Sequence, residues 1–187
     1  MKFEYKHTDI NDYIDSCIGN SVCNYLCPQI NNDENKFGSG LAKTLGDRFP
    51  KAKKYYHEWY KHSTERIPFK LGRIQVVDTE YDNLQIVNMI AQSDCGGYKP
   101  KNGPHLPPIR YQSLVECLYR LKDYILSEDE SLPAVFSGLI GCDRAGGDMK
   151  QIKKIVWQVF GDTDIWWTWL SYDEDQLNKF KSISIFS

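Results

Sequence analysis

The chain has 187 residues, 41% hydrophobic and 26% charged, with a formal net charge of −2. That length and composition suit one globular domain with a buried core, so residues 1–187 are read as a single domain. The charge balance lacks the basic surplus of a nucleic-acid footprint, no apolar run approaches the roughly 18 residues of a membrane span, and the N-terminus from Met1 to Lys6 has no apolar signal core. The six cysteines (Cys17, Cys23, Cys27, Cys95, Cys117 and Cys142) form no C-x-x-C pair and no Cys/His zinc spacing. They read as free thiols in a reducing cytoplasm, with no metal or cofactor implied.

In chain order, the first buried strand is expected at Ser21–Leu26. Leu41, Ala42, Leu45 and Phe49 share one helical face, and Pro50 ends that run. Lys51–His62 continues as a second helix carrying Tyr55, Tyr56 and Trp59. Arg73–Asp78 and Leu84–Ala91 are short and β-branched, as strands covered on both faces tend to be. Ser93–Pro108 reads as a long loop, either a functional wall or a plain surface excursion. A helical stripe follows in Tyr111, Leu114, Val115, Leu118, Leu121 and Ile125. Ala134–Ile140 reads as a strand, the run from Met149 through Ile152, Ile155, Val156, Val159 and Phe160 as a helix, and Ile165–Leu170 as an aromatic strand. Strands alternating with helices predict an α/β fold, a three-layer α/β/α sandwich around a mixed, largely parallel sheet.

Two glycine-rich segments each follow a strand and open a helix. The first is Gly38-Ser39-Gly40-Leu41-Ala42-Lys43-Thr44. It is neither a Walker A loop nor a full G-x-G-x-x-G, since Lys43 takes the third glycine's place. The second runs from Gly138 to Asp148. Glycines let backbone approach an anion, and free N–H groups at a helix start point at it, so two such loops at one sheet edge could grip a diphosphate from both sides. Asp148 falls where an N-cap belongs. Arg144 either neutralises a phosphate or pairs with Asp143. Cys142 reads as a small buried thiol, since no histidine stands near it in sequence to activate it.

Cys27-Pro28-Gln29-Ile30-Asn31 followed by Phe37-Gly38-Ser39-Gly40-Leu41-Ala42 resembles the first ligand loop of macrodomains. The branch it is most similar to is the one described as ADP-ribose-1''-phosphate-processing. Val87–Gln92, then Ile109-Arg110-Tyr111 with its helix, then Gly141–Asp148 resemble that branch's later motifs in the same order, over about residues 9–170. The resemblance implies a macrodomain-like fold and a cleft for ADP-ribose or a derivative. In that reading Asp9, followed by Ile10, receives the adenine amino group. Gln29 and Asn31 stand in the stretch beside the distal ribose. Gly38, Ser39, Gly40, Leu41 and Ala42 face the diphosphate from one side, and Gly141, Cys142, Asp143, Arg144, Ala145, Gly146 and Gly147 from the other. The implied partners are ADP-ribose, a derivative, or ADP-ribosylated macromolecules, with neither membrane nor direct nucleic-acid binding.

The chain also departs from the branch. Pro28 replaces a histidine, Asp143 and Arg144 replace glycine and leucine, and Met149 replaces tryptophan. The stretch before Gly38 is one residue longer and carries Asp33 and Glu34. Ala91 or Gln92, and Ala145, stand where de-ADP-ribosylating relatives carry a catalytic lysine and aspartate, which argues against a lysine adduct. Two functions remain open. One is hydrolysis of ADP-ribose-1''-phosphate or of an ADP-ribosyl bond, with Asp143 as the candidate catalytic carboxylate. The other is a non-catalytic reader or sequestering module.

Overall fold

A computed structural model describes residues 1–19, 23–94, 107–127 and 133–185. Its elements in chain order are β1 (Lys2–His7), α1 (Ile10–Ile18), β2 (Tyr25–Asn32), α2 (Gly40–Arg48), α3 (Pro50–Lys61), β3 (Ile74–Asp78), β4 (Leu84–Gln92), α4 (Tyr111–Ser127), β5 (Ala134–Gly138), α5 (Met149–Phe160), β6 (Trp166–Ser171) and α6 (Glu174–Ser182). The strands form one sheet in the order β1-β6-β5-β2-β4-β3, parallel throughout except for the antiparallel edge strand β3. This is the mixed, largely parallel sheet expected from the alternating pattern.

Period-2 alternation along the strands divides the core into two layers. Leu26, Val87, Val135, Trp167 and Trp169 pack with Leu114, Leu118 and Leu121 of α4, Ile152 and Val156 of α5, and Phe180 of α6. Cys27, Ile86, Phe136 and Leu170 face the other way, toward Ile10 and Ile14 of α1, Leu45 of α2 and Ala52 of α3. Lys153 is buried beneath α6, where its ammonium donates to the carbonyls of Phe180, Lys181 and Ile183. A cation there satisfies the orphan acceptors and the negative dipole at the end of that helix. No described helix is long and apolar enough to cross a membrane.

The expected strands Arg73–Asp78, Leu84–Ala91, Ala134–Ile140 and Ile165–Leu170 are found as β3, β4, β5 and β6, with ends within two residues of those expected. The first strand differs. It was expected at Ser21–Leu26 and lies at Tyr25–Asn32, so Cys27–Asn31 is strand rather than loop. Pro28 and three polar side chains disguised it. Pro28 has no N–H to give a ladder, and pairing of β2 with β5 is confined to Tyr25 and Leu26. β1, α1 and α6 had no counterpart in the expected pattern. Of the expected loop Ser93–Pro108, residues 95–106 lie outside the described residues.

Candidate ligand-binding cleft

Beyond Leu26, β2 pairs only with β4, and β5 only with β6. The chain leaves β2 toward α2 and β5 toward α5, so the gap between their carboxyl ends is the topological switch point of the sheet, where open α/β folds place ligands. A cleft of about 770 Å³, counting its open mouth, lies there. Asn31, Gly38, Ser39, Gly40, Leu41 and Ala42 line one wall, and Leu139, Ile140, Gly141, Asp143, Arg144 and Ala145 line the other.

The first wall is held from below. Phe37 is buried against Tyr56 of α3, with ring centroids 5.1 Å apart, and so anchors the glycines that follow it. Asn32 pins the preceding turn: its Oδ1 accepts from the amides of Glu34 and Lys36, and its Nδ2 donates to the Lys36 carbonyl. The Tyr56 hydroxyl in turn donates to the Asn32 carbonyl at 2.5 Å. Ser39 precedes α2 in extended conformation without capping it through its side chain, and the first turn of α2 has no acidic residue. That turn offers N–H groups and the positive end of a dipole toward the cleft.

The second wall is a tight coil. The Gly147 amide donates to the Gly141 carbonyl at 2.8 Å. A Cβ on Gly147 would come within 2.5 Å of that same oxygen, a contact only glycine avoids. Asp148 caps α5 as expected, its Oδ1 accepting from the Gln151 amide at 2.8 Å. Arg144 reaches across the cleft, with its Cδ 3.7 Å from the point a Cβ on Gly40 would occupy. Asp143 and Arg144 are exposed and form no ion pair with each other or with any other described residue. Asp143 is the only carboxylate among the described cleft-lining residues.

Asn31 is the distinctive group. It lines the cleft at 2% exposure, and neither its Oδ1 nor its Nδ2 has a hydrogen-bond partner. A buried, unpaired polar group costs about 1–3 kcal/mol, so a native fold that retains one calls for an explanation.

Other expected residues lie apart from the cleft walls. Gln29 is fully buried, its Nε2 donating to Asn88 Oδ1 at 2.7 Å. Asp9 follows β1 on the same sheet edge, two strands from β5, and is the N-cap of α1, its Oδ1 accepting from the Asn11 amide at 2.8 Å. Ile10 packs into the core. Gly146 and Gly147 do not line the cleft, but their amides donate to the Asp143 and Gly141 carbonyls of the second wall. Cys142 turns its thiol toward the Ile140 carbonyl, and burial, followed by the charges of Asp148 and Asp143, pushes its pKa up to about 12. A thiol held protonated in this way is no nucleophile near neutral pH.

Ile30, Asn32, Lys36 and Gln92 also line the cleft and were not anticipated as site residues. Asn32 follows a register irregularity in β2, which re-aims consecutive side chains at a strand end. The bare sequence carries no signal of that irregularity. Lys36, two residues before the glycine loop, is the one of these four that the sequence could have flagged, as a cation beside a phosphate-type turn.

The fold and its cleft therefore define an open α/β sheet with two glycine-rich walls at its switch point. No family model and no curated protein matches the sequence. Among solved structures, a protein of unknown function from Bacteroides thetaiotaomicron superposes with a TM-score of 0.74 at 28% identity, over 91% of this chain and 98% of that one. A macrodomain protein from Streptomyces coelicolor superposes with a TM-score of 0.68 at 21% identity, over 92% of this chain and all of that one. DarTG from Thermosipho africanus, solved in complex with ADP-ribose, superposes at 0.65 and 12% identity, over all of this chain and 46% of that one. The chain has the macrodomain fold.

Proposed function

We propose that this chain is a single module that binds ADP-ribose or a close derivative in the cleft between its two glycine-rich walls. The observation that carries the reading is Asn31: a buried amide with no partner, at the end of the strand between the loops. A ribose hydroxyl both donates and accepts, and so satisfies such an amide. The diphosphate lies between the first turn of α2 and the coil at Gly141–Gly147, with Arg144 beside it. The adenine extends over the carboxyl ends of β6 and β1 toward Asp9, about two strand spacings of 4.8 Å from β5. The structural likeness to a protein solved with ADP-ribose supports the same ligand class. Calorimetry with ADP-ribose and AMP tests the reading. ADP-ribose should bind at least tenfold more tightly, and equal affinities would remove the two-wall grip.

Asp9 holds two duties that substitution can separate. Asp9→Ala should cost about 1 kcal/mol of stability through the lost N-cap of α1, and also weaken ADP-ribose. Asp9→Ser keeps a capping oxygen but shortens the reach. It should melt like the wild type and bind ADP-ribose roughly tenfold more weakly. Unchanged binding by both would detach Asp9 from the adenine.

The finer reading is hydrolysis of ADP-ribose-1''-phosphate to ADP-ribose. It is supported by Asp143, the cleft carboxylate free of any ion pair, and by Arg144 next to it. Asp143 would activate a water, and Arg144 would hold the terminal phosphate by a two-pronged contact. Arg144→Ala should weaken the phosphate-bearing ligand more than ADP-ribose itself, and Asp143→Asn should lower turnover while sparing binding. If neither ratio moves, no phosphate is released and an ADP-ribosylated protein is not cleaved either, the chain is a reader rather than a hydrolase.

A further inference from the structure

The chain's modest negative charge averages over an uneven distribution. Residues 51–73 carry Lys51, Lys53, Lys54, Lys61, Arg66, Lys70 and Arg73 against Glu58 and Glu65, a formal surplus of five in a chain of net −2. All seven cations are exposed except Arg73, which is half-buried. They decorate α3 and the connection that leads into β3, the outermost strand of the sheet. The field is felt locally: the His57 pKa is lowered first by burial and then by Lys53 and Lys61.

Where α3 meets the β3 edge there is a shallow recess of about 500 Å³, counting its open mouth, which shares no residue with the cleft. Arg66 and Arg73 both line it, and neither guanidinium has a hydrogen-bond or ion-pair partner among the described residues. Trp59 forms another wall; it is 8% exposed, and its indole N–H is unpartnered. Four-residue steps place Lys51, Tyr55 and Trp59 on one face of α3. Tyr55 is 40% exposed, and its carbonyl accepts from Nε2 of Gln75, a further lining residue.

We propose that this face is a second binding site, for single-stranded nucleic acid, with a backbone phosphate seated between Arg66 and Arg73 and a base stacked on Tyr55. Guanidinium forks match phosphate geometry, and the indole N–H adds a donor of the kind such a group accepts. Exposed aromatics beside a cationic track form the sequence-tolerant platform that single strands use. A duplex would offer the same phosphates but keep its base faces stacked away from Tyr55. An acidic peptide would satisfy the arginines and leave the aromatic idle.

The test is fluorescence anisotropy of the full chain with a labelled single-stranded oligonucleotide, in about 50 mM salt and again in about 200 mM. Binding should weaken steeply with salt. The double variant Arg66→Ala/Arg73→Ala should bind at least tenfold more weakly and flatten the log–log salt slope by about 0.7, the value for one phosphate contact on a single strand. Tyr55→Ala should weaken binding severalfold and leave the slope unchanged. Thermal melting like the wild type would confirm that both variants are folded. Saturating ADP-ribose should not displace the oligonucleotide, so this proposal stands or falls separately from that for the cleft. Absence of binding at the lower salt, indifference to the arginine substitutions, displacement by ADP-ribose, or equal affinity for polyglutamate would each overturn it.

Discussion

A Gly40→Val chain will remain folded and lose ADP-ribose. Gly40 opens α2 with φ of +58°, a backbone conformation that favours glycine and strains a β-branched side chain. The strain costs roughly 1–2 kcal/mol or somewhat more, a tolerable fraction of the about 5–15 kcal/mol that holds an ordinary domain together. The new side chain has room within the fold itself: its Cβ meets only the flexible end of Arg144, at 3.7 Å. The methyl groups beyond that Cβ occupy the space between the two walls, where the diphosphate is proposed to lie. The expected result is a melting temperature lowered by several degrees and an affinity for ADP-ribose reduced at least a hundredfold, about 3 kcal/mol. Gly38→Ala is the control for stability, because a Cβ there meets nothing within 4 Å. It should melt like the wild type. A Gly40→Val chain that binds normally by calorimetry would show that the first wall does not face the diphosphate.

The sheet was legible in the sequence where its strands are largely buried and mainly apolar. β4 and β5 are runs of that kind, and Trp167 and Trp169 made β6 visible by their bulk. β1 was not legible because it is an edge strand: Lys2, Glu4, Lys6 and His7 mask a weak apolar alternation that matters only beside β6. β2 was displaced for a different reason. Its carboxyl half is polar because it ends at the cleft, so the residues that serve the site erase the strand signal. Local chemistry was read more reliably than position. Asp148 was recognised as a cap from its place before an apolar helix, and the two glycine segments as walls from their strand-to-helix setting. Gln29, close to Asn31 in sequence, went the other way. Alternation along β2 and its bond to Asn88 put it inside the protein, a consequence of register that no local pattern announces.

Asn31 and Asn88 lie in adjacent paired strands, are both buried, and should respond to truncation in opposite ways. Asn88 is fully employed: its Nδ2 donates to the Ala52 carbonyl and to Gln75 Oε1, and its Oδ1 accepts from Gln29. Asn88→Ala would strand the Gln29 amide inside the protein, a loss worth about 1–3 kcal/mol. The expected result is a clear fall in stability with no change in affinity for ADP-ribose per folded molecule. Asn31 is unemployed within the fold. Asn31→Ala deletes two unsatisfied polar atoms, and the room it leaves adjoins the cleft, which water can enter. Its stability should therefore be unchanged or higher, while affinity for ADP-ribose falls tenfold or more through the lost contacts to a ribose. A residue that stabilises a protein by its removal and weakens a ligand by the same removal is held for function. Denaturant unfolding and calorimetry on the two variants read both quantities. If Asn31→Ala unfolds more easily and binds as before, Asn31 is packing, and the observation that carries the proposed function is gone.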